Sequence, residues 1–380
     1  MKRLSAGLVV VALAVLAVLA ASGSASAAPH IVVILGDDVG WHGVGFHAKR
    51  SAAAEAEKAM GGGMHKTHKL HKMRGKVHGM REKNATKEDA IWASSSSSVS
   101  SVSSVSSVSS VSSSAGALPL VRTPRMDALV AEGLELDRHY VYKFCSPSRS
   151  AFQSGRLPVH VNVANAAPEL RNRSDAVSGY AGIPTSMTGV ASVLSASPAN
   201  YSSHMTGKWD AGMATLQHTP MGRGYDSWLG YYHHANDYYT EGLPLQATGN
   251  INVCLNQFTD LWGPGQGPAI QSQGHGAYEE EIFTNQTLSV IHAHAEANRR
   301  SAQSARSAQS ARSATTLPPA VRPLFLVHAF HLVHTPLQVP DAYLQNFTNV
   351  PNPTRQKYLA MTKYMDDVVG RIVDALADEL

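Results

Sequence analysis

The sequence predicts a layered α/β domain, and three observations carry that reading. His30–Leu35 is a continuous apolar run of strand length, and Pro124–Glu132 has the pattern of a helix with Thr123 as N-cap, Pro124 in its first turn and Gly133 closing it. Leu324–Phe330 reads as a second buried strand. It is followed by Tyr358, Met361, Met365, Val368, Val369, Ile372, Val373 and Leu376 at helical spacing. Strands alternating with helices stack as sheet and helix layers, and the last helix needs a sheet to cover.

The chain has 380 residues, of which 43% are hydrophobic, enough to bury a large core in one domain or two. Its formal charge of +4 is carried largely by the Lys/Arg/His-rich stretch between Lys49 and Lys87. The remainder is near neutral or mildly acidic, which excludes a basic nucleic-acid face.

At the N-terminus, Met1-Lys2-Arg3 leads into an apolar run from Leu4 to Ala21 and then Ser24-Ala25-Ser26-Ala27. This is the pattern of a cleaved signal peptide over residues 1–27, with an uncleaved membrane anchor as the alternative. Both readings send the chain to the secretory route, and stable membrane insertion of the mature protein is not expected. Asn-x-Ser/Thr acceptors at Asn84, Asn172, Asn200, Asn285 and Asn346 agree with that compartment. Cys145 and Cys254 are the only cysteines, too few for a disulfide framework.

Residues 28–380 form the expected domain, with two low-complexity insertions. Residues 49–117 pass from Ala/Glu/Lys through His65, His68, His71 and His78 to Ser-Ser-Val repeats and offer no apolar face. Those histidines sit among lysines that repel a cation, so a solvated loop is expected there rather than a metal site. Residues 299–316 repeat Ser-Ala-Gln-Ser-Ala-Arg and are expected to be an exposed, disordered insertion.

Two constellations carry chemistry. Gly36-Asp37-Asp38 follows the first strand directly, where open α/β sheets place ligands. Adjacent carboxylates repel one another, so a hard divalent cation is a natural partner, although a surface turn or helix cap would look the same. The second is Cys145-Ser146-Pro147-Ser148-Arg149, continuing to Gly155-Arg156. Pro147 and Ser148 suit the start of a helix, which aims free N–H groups at an anion near Cys145. Arg149, four residues on, shares that face and can hold a tetrahedral oxyanion.

Cys-x-Pro-Ser-Arg followed by Gly-Arg resembles the signature of the type I sulfatases. Further segments agree in order: Asp37-Asp38-Val39-Gly40-Trp41, Gly207-Lys208-Trp209, Arg223-Gly224-Tyr225-Asp226, Asp237-Tyr238-Tyr239 and Val333-His334 with Pro336-Leu337-Gln338-Val339-Pro340. The resemblance is nearest the arylsulfatase B-like branch, whose known member removes the 4-sulfate of N-acetylgalactosamine. It implies an alkaline-phosphatase-like α/β/α sandwich with a large mixed sheet, and a sulfuric ester hydrolase acting on aryl or carbohydrate sulfates.

It also implies that a formylglycine-generating enzyme converts Cys145 to formylglycine, and that Asp37, Asp38 and the converted Cys145 bind one Ca2+. Arg149 would stabilise the aldehyde hydrate, and Lys208 and His334 would contact the sulfate ester. One hydroxyl of the hydrate would attack sulfur and the other would then release sulfate.

Two departures stand against full activity. The family reads Gly-Lys-Trp-His, its His being an acid/base partner, whereas this chain has Asp210 after Trp209. An Asp serving as an acid near neutral pH needs a strongly raised pKa. The family also continues into a strand with an Asp-Asn pair, a further sulfate-binding lysine and a smaller domain, so the C-terminal part is expected to be missing beyond Leu380. A phosphate or phosphonate hydrolase on the same scaffold is a rival reading, and a silent protein that binds sulfated glycans is another. His331, Trp209 and Trp228 are expected to be structural, and Cys254 to be a free or partner-linked thiol. The run Tyr231-Tyr232-His233-His234 fits either a substrate cleft or a half-buried strand.

Overall fold

The computed structural model describes residues 10–11, 28–48, 121–136, 138–162, 182–242, 259–263, 276–310 and 322–380. The expected insertion 49–117, Cys254 and most of the expected signal peptide lie outside the described residues. Five strands form one sheet: β1 (Val10–Val11), β2 (Ile31–Leu35), β3 (Ser202–Lys208), β4 (Ser227–Tyr231) and β5 (Leu324–Ala329), in the order β1-β2-β5-β3-β4. β2, β5, β3 and β4 are mutually parallel, and only the two-residue β1 runs antiparallel at the edge. Among the described residues the sheet is therefore mixed only through that edge pair.

Four helices matter for the site: α1 (Pro124–Glu132), α2 (Cys145–Ser154), α3 (Glu279–Ser310) and α4 (Pro353–Glu379). Alternation along the strands gives the sheet two apolar faces. Val32, Ile34, Leu324 and Leu326 face a core with Ile291 of α3 and Met361, Met365, Val368 and Ile372 of α4. Val33, Leu35, Phe325 and Val327 face the opposite way, onto Trp209, Trp228 and the half-buried Phe152 of α2. Helices thus cover both faces, giving the α/β/α sandwich that the sequence predicts, and the last helix covers the sheet as expected.

Some local expectations differ. The Thr123 hydroxyl does not cap α1; it accepts from the Gly45 amide at 2.7 Å and donates to Asp127 at 2.9 Å, tying helix to loop. α2 starts at Cys145 itself, two residues earlier than the Pro147 signal. The Ser-Ala-Gln-Ser-Ala-Arg segment is corrected in its first part, because α3 runs on to Ser310 where a disordered insertion from residue 299 is expected. Alanine, glutamine and arginine are good helix formers, and extending an existing helix avoids the cost of nucleation. Residues 311–316 lie outside the described residues. No helix among the described residues is long and apolar enough to cross a membrane.

Candidate functional site

The chemistry-bearing residues gather at the carboxyl ends of the parallel strands. Asp37 and Asp38 follow β2, Lys208 closes β3 with Asp210 just beyond, His234 follows β4, and His331 and His334 follow β5. This is where an open parallel sheet binds ligands. The approach of β3 to β5 requires Gly207, whose φ is +87° and where any Cβ would lie 1.9 Å from the Ala329 carbonyl oxygen.

Asp37 is fully buried and is the hub of the site. Its Oδ2 accepts from Lys208 Nζ at 2.5 Å and lies 3.4 Å from Arg149 Nη2, and its Oδ1 lies 3.5 Å from Cys145 Sγ. Burial alone would raise its pKa, but Lys208 and Arg149 outweigh burial and hold the carboxyl below the usual range. Burial would discharge Lys208, and the charge of Asp37 keeps its pKa raised instead. Arg149 is anchored by donating to the Lys208 carbonyl at 2.9 Å, while among the described residues its Nε has no hydrogen-bond partner and its Nη2 has only the 3.4 Å ion pair with Asp37. Unpaired buried guanidinium donors are costly, and an anionic ligand would satisfy them.

Cys145 occupies the first position of α2, after Phe144 in extended conformation with no side-chain cap. Free amides and the positive end of the helix therefore sit beside it. Its thiol is nonetheless pushed up to about 12, by burial first and then by Asp37 and Asp210 against Lys208 and Arg149. A thiol so held is protonated at neutral pH and is a poor nucleophile.

Asp38 parts from Asp37: it is exposed, has φ of +54°, and places Oδ2 3.6 Å from His334 Nε2. His334 Nδ1 lies 2.7 Å from the Thr335 carbonyl, a geometry that makes Nδ1 the donor and leaves the Nε2 lone pair facing carboxylate. In the neutral ring the Nε2 lone pair faces that carboxylate, and a cation between the two would be held by both. Potential ligand atoms of Asp37, Cys145 and His334 all lie within 4.8 Å of one another. With a thiol this is a mixed nitrogen, oxygen and sulfur set. With oxygen in place of sulfur, Asp37 and Asp38 make it the oxygen-rich set that calcium prefers.

The turn carrying His334 is fixed from beneath. Glu280 Oε1 accepts from the His331 amide at 2.7 Å and the Leu332 amide at 2.9 Å, and the Asp37 amide donates to the Leu332 carbonyl at 2.7 Å. Burial raises the Glu280 carboxyl to about 8 despite those amides. His331 is fully buried against Glu279 at 2.8 Å, and Trp209 and Trp228 are packed in the core, so all three are structural as expected.

Asp210, at the position where the family pattern has histidine, is fully buried with φ of +46°. Its Oδ1 accepts from Ser146 Oγ at 2.6 Å and faces His234 Nδ1 at 2.9 Å, and its Oδ2 lies 3.8 Å from Lys208 Nζ. Burial opposes ionisation, but His234, Lys208 and Ser146 together hold its pKa below the ordinary value. Asp37, Asp38, Cys145, Arg149, Lys208, Asp210 and His334 therefore all fall in one region. Sequence reasoning missed Ser146, Glu279 and Glu280 and left His234 undecided. No spacing rule links these residues to Asp210 or the His334 turn, and only the His-His run gave a signal.

The sulfatase family pattern matches residues 29–380. The chain belongs to the sulfatase family. It is 26% identical to mouse (Mus musculus) arylsulfatase J over 256 residues, covering 67% of this chain and 36% of that protein. It is 28% identical to human (Homo sapiens) N-acetylgalactosamine-6-sulfatase over 264 residues, covering 68% of this chain and 43% of that protein. The crystal structure of Ps i-CgsB is also similar, with TM-score 0.50, 26% identity, and coverage of 68% of this chain and 50% of that one. The chain thus spans less than half the length of those curated relatives. Its parallel sheet with flanking helices agrees with the alkaline-phosphatase-like fold.

Proposed function

We propose that the chain is a sulfuric ester hydrolase of the arylsulfatase type, acting on aryl or carbohydrate sulfates with a formylglycine at Cys145 and one Ca2+. The observation that carries the reading is the convergence of two fully buried cations, Lys208 and Arg149, beside Cys145 at a helix N-terminus. That setting suits a small tetrahedral anion. On its motifs we read it as nearest the arylsulfatase B-like branch.

Asp37, Asp38 and the converted Cys145 would hold the calcium. When present, formylglycine and calcium together supply an acidified hydroxyl as nucleophile. Arg149 and Lys208 bind and orient the sulfuryl oxygens and offset charge as it develops. His334, whose ring nitrogen lies close to Asp37 and Cys145, would contact the sulfate ester. The thiol form of Cys145, held protonated, does not supply this chemistry, which supports conversion by a formylglycine-generating enzyme in the secretory route. Asn200, Asn285 and Asn346 are exposed, consistent with glycosylation there.

The test is release of 4-nitrophenol from 4-nitrophenyl sulfate by secreted protein, alongside mass spectrometry of the peptide containing Cys145. Turnover that disappears in Cys145→Ala, together with the aldehyde mass, supports the reading. An intact thiol and no turnover, from a cell with a working converting enzyme, would refute it. One observation favours the silent, glycan-binding reading: Asp210 is held ionised where the family pattern has an acid/base histidine.

A further inference from the structure

We propose that Cys145 in its thiol form, together with Asp37 and His334, makes a site for one thiophilic divalent cation of the zinc type, so that the thiol and converted forms of the chain choose different metals. The zinc site needs only the geometry of these three residues. The contrast with the converted form rests on the sulfatase reading above.

Zinc binds sulfur at about 2.3 Å and carboxylate oxygen at about 2.0 Å, and a tetrahedral angle between those bonds sets the two ligand atoms about 3.5 Å apart. Cys145 Sγ lies 3.5 Å from Asp37 Oδ1. Lys208 and Arg149 both engage the other oxygen of Asp37, which leaves Oδ1 to the sulfur side. Ligand atoms of Asp37, Cys145 and His334 all lie within 4.8 Å of one another. An inward move of at most about 1.5 Å by the part-exposed His334 therefore closes the triad. Its Nδ1 donates to the Thr335 carbonyl at 2.7 Å, the backing that metal-bound imidazoles have, and Nε2 keeps its lone pair. Three protein ligands leave the fourth position to water, beside the exposed Asp38, whose Oδ2 lies 3.6 Å from His334 Nε2.

The softness of the donors decides which cation binds. Calcium takes hard oxygen ligands, whereas thiolate with imidazole and carboxylate suits zinc. Binding breaks the S–H bond of Cys145: the sulfur gives its electron pair to the metal and the proton passes to solvent. Cys145 opens α2, whose free amides and positive end favour the thiolate. Cys145 and His334 are both part-exposed, so the cation has a way in. In the converted form the sulfur is gone, and what remains around Asp37 and Asp38 is oxygen.

The experiment uses the full chain made in a cell without a converting enzyme, its Cys145 thiol verified by peptide mass. Co2+ is the spectroscopic probe, and Zn2+ and Ca2+ are the competitors. We expect a near-ultraviolet sulfur-to-cobalt charge-transfer band, retained in Cys254→Ser and lost in Cys145→Ser. His334→Ala should need about 100-fold more cobalt to develop it. The histidine-rich stretch has no cysteine, so cobalt bound there does not give the band. Zinc should bleach it and calcium should not. No band in protein whose circular dichroism is that of the folded chain, a band unchanged in Cys145→Ser or His334→Ala, or bleaching by calcium would each overturn the proposal. Converted protein should bind zinc about 100-fold more weakly than the thiol form, and equal affinity would overturn the contrast between the two. Protein whose Cys145 stays a thiol in a converting cell sinks the formylglycine reading, and the cobalt band then decides the zinc site alone.

Discussion

Lys208 Nζ lies 2.5 Å from Asp37 Oδ2, and neither side chain has any exposed surface. Removing one partner of a buried pair leaves an uncompensated charge, which typically costs about 3–5 kcal/mol. Lys208→Met should therefore destabilise the protein by about that much in urea unfolding. Adding Asp37→Asn should recover part of the loss, because the stranded charge is gone. Full additivity of the two substitutions would contradict the coupling.

The lone pair of His334 Nε2 facing Asp38, close to Asp37, predicts that calcium stabilises the converted protein. At a hundredfold excess over its dissociation constant, a ligand bound only to the folded state contributes about 2.7 kcal/mol. Thermal unfolding with calcium and after chelation measures this. Asp38→Asn should abolish most of the difference, and no difference in the wild type would count against the metal site.

Gly207 has φ of +87° and no room for a Cβ against the Ala329 carbonyl. Gly207→Ala should cost about 4 kcal/mol or more, since strain and collision add at the centre of the sheet. Circular dichroism and the yield of soluble protein report it.

His328 is fully buried, its Nδ1 lying 2.8 Å from Thr287 Oγ1 and 3.0 Å from Thr206 Oγ1, and burial pushes its pKa down to about 3. The unfolded chain takes up this proton near pH 6.5 and the folded chain only near 3. The contribution to stability is present above 6.5 and is lost as pH falls toward 3, with a slope of at most about 1.4 kcal/mol per pH unit. His328→Asn should flatten the acid limb of the unfolding profile relative to wild type. An unchanged limb would show that His328 is charged when folded.

Much of the site was legible because its signals are local. Asp37-Asp38 follows an apolar strand, and Cys145 and Arg149 share a helix turn, so short-range geometry alone places them. Lys208 and His334 were legible only through resemblance to a family pattern. His234 and Glu280 were not legible as partners, because their significance lies in contacts to Asp210 and to the His331 and Leu332 amides across long stretches of chain.

The sequence by itself determined the layered fold, through apolar runs at strand length and helical periodicity, and it singled out the segment from Cys145 to Arg149 as a candidate anion site. Tertiary structure alone decided how the charges divide. Burial removes water from Asp37, Lys208, Arg149 and Asp210 together, so each charge depends on which neighbour lies within a few ångströms. Asp210 stands where the family pattern has histidine, and the imidazole beside it comes from the end of β4, a neighbour in space and not in sequence.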